Sequence, residues 1–131
     1  MDKTLTLCIM ILLLSPAVFA QQVGFKAKVI DRENNSFQLA EIKRHRYEYF
    51  NCRIRDRIFR LDFNRIQSID FIGKPDDSIS GYTLANLKLT GGESTNIYIS
   101  SSSDSLQGSD QNLNILIRIP ISDIQSINFI K

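Results

Sequence analysis

A segment of seven residues occurs twice in this chain. Residues 66–72 read Ile-Gln-Ser-Ile-Asp-Phe-Ile, and residues 124–130 differ from them only by Asn128 in place of Asp70. The two copies lie 58 positions apart (66 to 124). Similarity at a fixed period of this length is typical of a duplicated structural unit. The sequence therefore predicts two similar units, each closed by this segment, with the isoleucines in the core and Asp70 facing outward.

The similarity continues upstream as a pattern of apolar residues. There the best offset becomes 60 (27 to 87), which places Ala27 on Leu87 and Leu39 on Ile99. This change of offset predicts that the loop before the third strand is two residues shorter in the second copy. The expected organisation is a signal peptide at 1–20, a first repeat at 21–73, a linker at 74–80 and a second repeat at 81–131.

The first twenty residues have the features of a secretory signal peptide. Lys3 precedes an apolar run, Pro16 ends that run, and Ala20 occupies the expected cleavage position. The run is shorter than the ~20 apolar residues that cross a bilayer. We therefore expect a secreted protein of the bacterial periplasm or cell envelope. Cys52 is then the single cysteine of the mature chain, and we expect it to be a buried apolar group.

Strand is the only sustained secondary-structure pattern. Apolar and polar residues alternate on both sides of the turn sequence 31–35, which is typical of a β-hairpin. A third strand is expected near 50–55, continuing after a turn at Asp56, with its counterpart at 113–119. The fold class is therefore all-β. The predicted architecture is two tandem antiparallel β-meander repeats, of four or five strands each, that pack as a pseudo-twofold small barrel or sandwich.

The end of the second repeat has a recognisable pattern. Residues 119–129 read Ile-Pro-Ile-Ser-Asp-Ile-Gln-Ser-Ile-Asn-Phe, a strand followed by a short polar step and a final strand. This segment resembles the closing segments of uncharacterised secreted bacterial small-β repeat proteins, built as SH3-like or Sm-like half-barrels. The resemblance implies a small β-domain, and it carries no catalytic residues with it.

The two repeats differ in charge. Residues 21–73 contain 11 Lys and Arg against 7 Asp and Glu, whereas residues 74–131 contain 4 against 6. If its strand is unbroken, the alternate arginines of the third strand would form one positive stripe. Such a stripe binds anions, or it is a solvated face that protects a sheet edge from pairing. The candidate anion- or partner-binding residues are Lys43, Arg44, Arg46, Arg53, Arg55 and Arg57.

A polar segment distinguishes the second repeat. Residues 100–112 are rich in Ser, Asp and Asn and are expected to form a loop of about a dozen residues. Asp104 and Asp110 form a possible loop site, because their carboxylates and nearby hydroxyl oxygens are the ligands that Ca²⁺ prefers. The spacing matches no calcium-binding loop, and a flexible connector is the simpler interpretation.

Three functions remain open. The first is a non-enzymatic interaction module that binds a protein partner or self-associates through sheet edges. The second is an anion-binding module for an anionic glycan, a lipid headgroup or nucleic acid. The third, a remote alternative, is a hydrolase that uses Cys52 and His45. The sequence predicts no enzyme, no cofactor, no metal and no transmembrane segment in the mature chain.

Overall fold

The computed structural model of the protein describes residues 24–73 and 81–130. These residues form ten strands and two short 3₁₀ turns. The predicted signal peptide and the predicted linker lie outside the described residues. The all-β class is confirmed, and the ten strands agree with the expectation of four or five in each half of the chain.

The two halves of the chain have the same order of elements. The first half contains β1 (Lys26–Asp31), β2 (Ser36–Arg44), β3 (Tyr49–Ile54), β4 (Arg57–Asp62), a 3₁₀ turn (Phe63–Arg65) and β5 (Ile66–Phe71). The second half contains β6 (Tyr82–Leu89), β7 (Ser94–Ser100), β8 (Ser105–Asp110), β9 (Leu116–Pro120), a 3₁₀ turn (Ile121–Asp123) and β10 (Ile124–Ile130).

All ten strands belong to one curled antiparallel sheet in the order β4-β3-β7-β6-β5-β10-β1-β2-β8-β9. The hairpin β6–β7 lies between β3 and β5, and the hairpin β1–β2 lies between β10 and β8. Each half of the sheet is therefore built from both halves of the chain. We call β4-β3-β7-β6-β5 the first half-sheet and β10-β1-β2-β8-β9 the second half-sheet. This exchange of hairpins goes beyond the two packed repeats that the sequence predicts.

The two similar heptapeptides meet at the centre of the sheet. They contain all of β5 and β10, which pair with each other, with Ile69 directly opposite Ile127. Both isoleucines are fully buried, as predicted, whereas the prediction is wrong for Ile72 and Ile130 at the ends of the two segments, which are exposed. Asp70 and Asn128 point to solvent on either side of this pair, which confirms the outward orientation expected for Asp70. The segment is thus the joint between the two half-sheets.

The pairing register corrects the offset inferred for the first strands. Ala27 lies opposite Phe129, and Ala85 lies opposite Phe71. Since Phe71 and Phe129 are 58 positions apart, Ala27 corresponds to Ala85 rather than to Leu87 (27 to 85). The prediction of an offset of 60 is wrong here, because alternating apolar residues match equally well after a shift of two positions.

The polar segment expected as a loop in the second repeat is largely a strand. β8 occupies Ser105–Asp110, and the predicted third strand at 113–119 is reduced to β9 after a turn. The expectation was wrong because Ser, Gln and Gly have low strand propensity, and tertiary pairing overrides that propensity. β8 is paired on both sides, with β2 and with β9. Gly108 lies so close to β2 that a Cβ there would be 2.8 Å from the Cβ of Leu39.

The core is continuous across the two half-sheets. The ring of Phe63, in the first 3₁₀ turn, lies 4.9 Å from that of Phe50 in β3 and 5.3 Å from that of Phe129 in β10. Phe50 and Phe63 are fully buried, and burial of a side chain of this size stabilises the fold by about 1.5–3 kcal/mol. One shared core, rather than two separate barrels, therefore holds the described residues together.

Candidate functional site

The tip of the β3–β4 hairpin presents the arginines that the sequence singles out. β3 ends at Ile54, Arg55 and Asp56 form the turn, and β4 begins at Arg57. Arg55 makes the turn tight by adopting a left-handed conformation with a φ of 54°. Ile54 lies opposite Arg57, and Arg53 lies opposite Ile58. Residues directly opposite each other in an antiparallel pair share a face, so this register fixes which side chains meet.

The predicted arginine stripe does not form as one surface, because the turn interrupts it. Arg53 shares the outer face with Ile58, whereas Arg57 shares the opposite face with Ile54. Arg53 is also engaged locally, since its Nε donates to the carbonyl oxygen of Arg55 at 2.7 Å and its Nη2 lies 3.9 Å from Asp56. The turn expected near Asp56 is therefore confirmed, and the unbroken strand that a single stripe would require is absent.

A groove of about 520 Å³ lies at this tip. Its lining residues are Ile54, Arg55, Asp56, Arg57 and Phe59. Ile54, Arg57 and Phe59 extend the face of the hairpin that buries Phe50 and Cys52 further along, so the groove continues the core surface beyond the point where the core ends. The lining thus combines the apolar residues Ile54 and Phe59 with the exposed basic residues Arg55 and Arg57.

β4 itself is an edge strand. It pairs with β3 and ends the sheet, so its other side has no strand partner among the described residues. Ile58, on the outer face of β4, is 68% exposed. The opposite edge, β9, carries Leu116 at the corresponding place, and that side chain is 67% exposed. β9 ends at Pro120, which has no N–H group to donate to an added strand.

A second cluster lies where the chain crosses from one half-sheet to the other. Arg44, at the end of β2, is 4% exposed. Its Nε donates to the carbonyl oxygen of Tyr49 at 2.9 Å, and its guanidinium lies 5.0 Å from the centre of the Tyr49 ring. The guanidinium of Arg60 lies 4.6 Å from the centre of the same ring. Tyr49 therefore contacts two cations, which stabilises both guanidinium groups by cation–π attraction.

Asp104 completes this cluster from the other crossover. Its Oδ1 lies 3.5 Å from Arg44 Nη1 and 3.1 Å from His45 Nε2. The segment before β3 and the segment before β8 are thus tied together by one carboxylate.

Of the remaining predicted basic residues, Lys43 is half-buried in β2, and Arg46 is exposed in the turn that follows.

The two aspartates proposed as a loop site are far apart. Asp104 precedes β8 and Asp110 ends it, so the length of the strand separates them by about 20 Å. Asp110 is buried, and its Oδ2 accepts a hydrogen bond from the backbone N–H of Leu113 at 3.0 Å. Two carboxylates at this distance cannot ligate one ion. Within 24–73 and 81–130, no group of three or more His, Cys, Asp or Glu side chains is placed to hold a metal.

Cys52 is not placed for nucleophilic chemistry. The thiol is buried in β3, as expected, and lies 3.9 Å from the carbonyl oxygen of Phe50. Burial raises its pKa to about 12, and the nearby charge of Arg44 only partly opposes this shift. A thiol with a raised pKa supplies little thiolate at neutral pH. His45 is meanwhile in contact with Asp104 in the crossover cluster.

The sequence predicted the arginines as candidate binding residues, but it predicted neither the groove nor the crossover cluster. The alternation of residues 53–60 carries the hairpin signal, and Asp56 marks its turn. The contact of Arg44 with Asp104 joins residues that are 60 positions apart, and no local pattern indicates it. Tyr47 and Tyr49 beside the basic residues were the one available signal, since aromatic rings often stack on arginine.

The structure contains no helix, within its described ranges, that is long and apolar enough to cross a membrane. No curated protein and no solved structure matches the chain. A protein family described as "Uncharacterised protein" matches residues 21–131, which include both halves of the sheet. The chain belongs to this family.

Proposed function

We propose that the protein is a non-enzymatic interaction module that binds a protein partner through the edge strand β4. The observation that carries this proposal is the exposure of Ile58 on a strand with an unpaired side. An edge with free backbone N–H and C=O groups and an exposed apolar side chain is a template for an added strand. The groove beside Ile54 and Phe59 supplies a pocket for a side chain of the partner.

The same edge offers a route to self-association, which is the other form of this function. A second copy of the chain would then supply the added strand. The hairpin formed by β3 and β4 carries four arginines and two aspartates, so two such hairpins repel each other. This repulsion favours a different protein as the partner.

The location of this function is proposed to be the bacterial periplasm or cell envelope. The support is the signal-peptide character of residues 1–20, together with a family match that begins at Gln21. We further propose that each repeat, 21–73 and 81–131, is an SH3-like or Sm-like half-barrel. The support is a short 3₁₀ turn immediately before the final strand in each half of the chain.

Site-specific photo-crosslinking in cells that secrete the protein tests the partner. A photoreactive amino acid at position 58 is expected to give a defined adduct with one other protein. Position 113 is the matched control, because Leu113 is equally large and exposed but lies in the β8–β9 turn. Equal adduct formation at both positions, or none at position 58, would contradict binding at β4.

The second candidate function is binding of an anionic polymer or headgroup. The exposed arginines Arg55 and Arg57 in the groove lining favour it. Binding of this kind weakens steeply as salt concentration rises. Retention on a sulfated polysaccharide column is expected to fall with salt and to be lost in the R55E/R57E variant. Retention that is the same for the variant and for the natural chain would contradict this function.

A further inference from the structure

We propose that the partner segment is an extended strand with an acidic–apolar–apolar–acidic pattern, paired along Arg57-Ile58-Phe59-Arg60 of β4. This inference rests on the proposed function and names the chemistry of its ligand. The four residues of β4 have the pattern basic–apolar–apolar–basic, which reads the same in both directions. The complementary pattern is therefore the same for an antiparallel and for a parallel partner strand.

The faces of β4 determine where each partner side chain lies. Phe59 and Arg57 lie on the groove face, and Ile58 and Arg60 lie on the outer face. A strand added to this edge places its side chains on the same faces, opposite those of β4. One apolar side chain would then pack on Ile58 and a second would contact Phe59 at the groove. One acidic side chain would lie on each face.

The charges of Arg57 and Arg60 are available for such carboxylates. Neither side chain forms an ion pair within the described ranges, and both residues are exposed. The guanidinium of Arg60 is held over the Tyr49 ring at 4.6 Å. Stacking uses the face of the guanidinium and leaves its in-plane N–H groups free to donate to a carboxylate. A preorganised arginine loses less side-chain entropy when it binds than a mobile one.

The positive charge of the β3–β4 hairpin makes binding of other kinds of strand to the β4 edge less favourable. A neutral apolar strand would cover Ile58 but leave two guanidinium groups partly desolvated without partners, which costs free energy. A second copy would bring its own basic hairpin to the edge. An acidic strand satisfies both the apolar and the charged side chains of β4.

Two capped synthetic peptides test this inference against the full mature chain. The first has Glu-Val-Tyr-Glu between Thr-Ser flanks, and the second has Lys-Val-Tyr-Lys in the same flanks. Binding is measured by the shifts of backbone amide resonances in ¹⁵N-labelled protein. The acidic peptide is expected to shift the amides of β4 and to bind roughly tenfold more tightly than the basic peptide.

Variants of both edges provide the controls. R57Q and R60Q together are expected to reduce binding of the acidic peptide about tenfold. R118Q, on β9, is the matched control and should leave binding unchanged. I58K should abolish binding, whereas L116K should not. Circular dichroism of each variant establishes that the fold is retained.

Each contrary result has a distinct meaning. Equal binding of both peptides along β4 overturns the acidic pattern and leaves the proposed strand addition intact. Shifts of β4 amides that depend on protein concentration and vanish in I58K without peptide identify a second copy as the occupant, which also overturns the inference. If neither peptide shifts β4 amides while anionic lipid vesicles do, both the inference and the proposed function are overturned.

Discussion

Burial of Cys52 in the core changes the acid–base behaviour of its thiol. Burial raises its pKa from 9.0 to about 12 in the folded chain. The unfolded chain therefore loses this proton near pH 9, while the folded chain keeps it. Stability from this group is fully present below pH 9 and is lost as the pH rises from 9 toward 12.

This difference predicts a specific pH dependence of the free energy of unfolding. Between pH 8 and pH 11, the free energy of unfolding of the natural chain should fall more steeply with pH than that of C52A. The difference in slope is at most that of one bound proton. Urea unfolding of both proteins across this range measures the difference. The contribution of the tyrosines and lysines cancels, because both proteins contain the same ones. Parallel pH profiles for the two proteins would show that the thiol is not buried as described.

Asp104 is predicted to contribute to stability through the buried Arg44. D104N removes the negative charge beside a guanidinium that is 4% exposed. A hydrogen bond to a charged group contributes about 1.5–3 kcal/mol, and the remaining contacts of Arg44 with Tyr49 reduce the loss. We expect D104N to lower the free energy of unfolding by about 1–2 kcal/mol in urea titrations.

H45Q is the control for this prediction, because His45 contacts the same oxygen from an exposed position. Exposed ion pairs contribute about 0–1 kcal/mol, so H45Q should change stability by less than D104N does. A cost below about 0.5 kcal/mol for D104N would mean that Arg44 is satisfied without Asp104.

For the strands, the sequence predicts which face is buried more reliably than it predicts which strands pair with each other. Alternation of apolar residues predicted β1, β2 and the β3–β4 hairpin, because a half-buried strand needs this period. β8 was missed because its inward-facing residues are Leu106, Gly108 and Asp110, of which only one is a large apolar side chain. The strand exists because β2 and β9 supply the backbone partners on both sides.

Gly108 tests the close packing of β8 against β2. A Cβ at this position would lie 2.8 Å from the Cβ of Leu39 and 3.1 Å from the carbonyl oxygen of Ala40. These neighbours are part of a central strand and cannot move freely, so G108A should destabilise the fold by about 1–3 kcal/mol. Thermal unfolding measures this cost.

G91A provides the comparison for G108A. A Cβ at Gly91, in the β6–β7 turn, would meet only the flexible carboxylate of Glu93 at 3.2 Å. Its cost should therefore be small, below about 0.5 kcal/mol. Similar melting temperatures for G108A and the natural chain would indicate that β8 does not lie tightly against β2.

The whole molecule depends on an arrangement that periodicity alone does not specify. The hydrophobic pattern places Leu39 and Ile97 on buried faces, but it is equally compatible with β2 pairing with β3 or with β8. The exchange of hairpins is decided by long-range packing, including the contact of Phe63 with Phe129 across the two half-sheets. The recurrence of the heptapeptide was therefore readable from the sequence, whereas the neighbours of each strand, and with them the exposed edge β4, were not.

This exchange predicts that the two half-sheets unfold together. Each half-sheet takes strands from both halves of the chain, and β5 and β10 join them at Ile69 and Ile127. Loss of either half-sheet would therefore expose core residues of the other. G108A, which lies in the second half-sheet, should lower the hydrogen-exchange protection of β6 amides in the first half-sheet by the same free energy as it lowers global stability. Unchanged protection of β6 in G108A would instead establish that the two half-sheets are independent units.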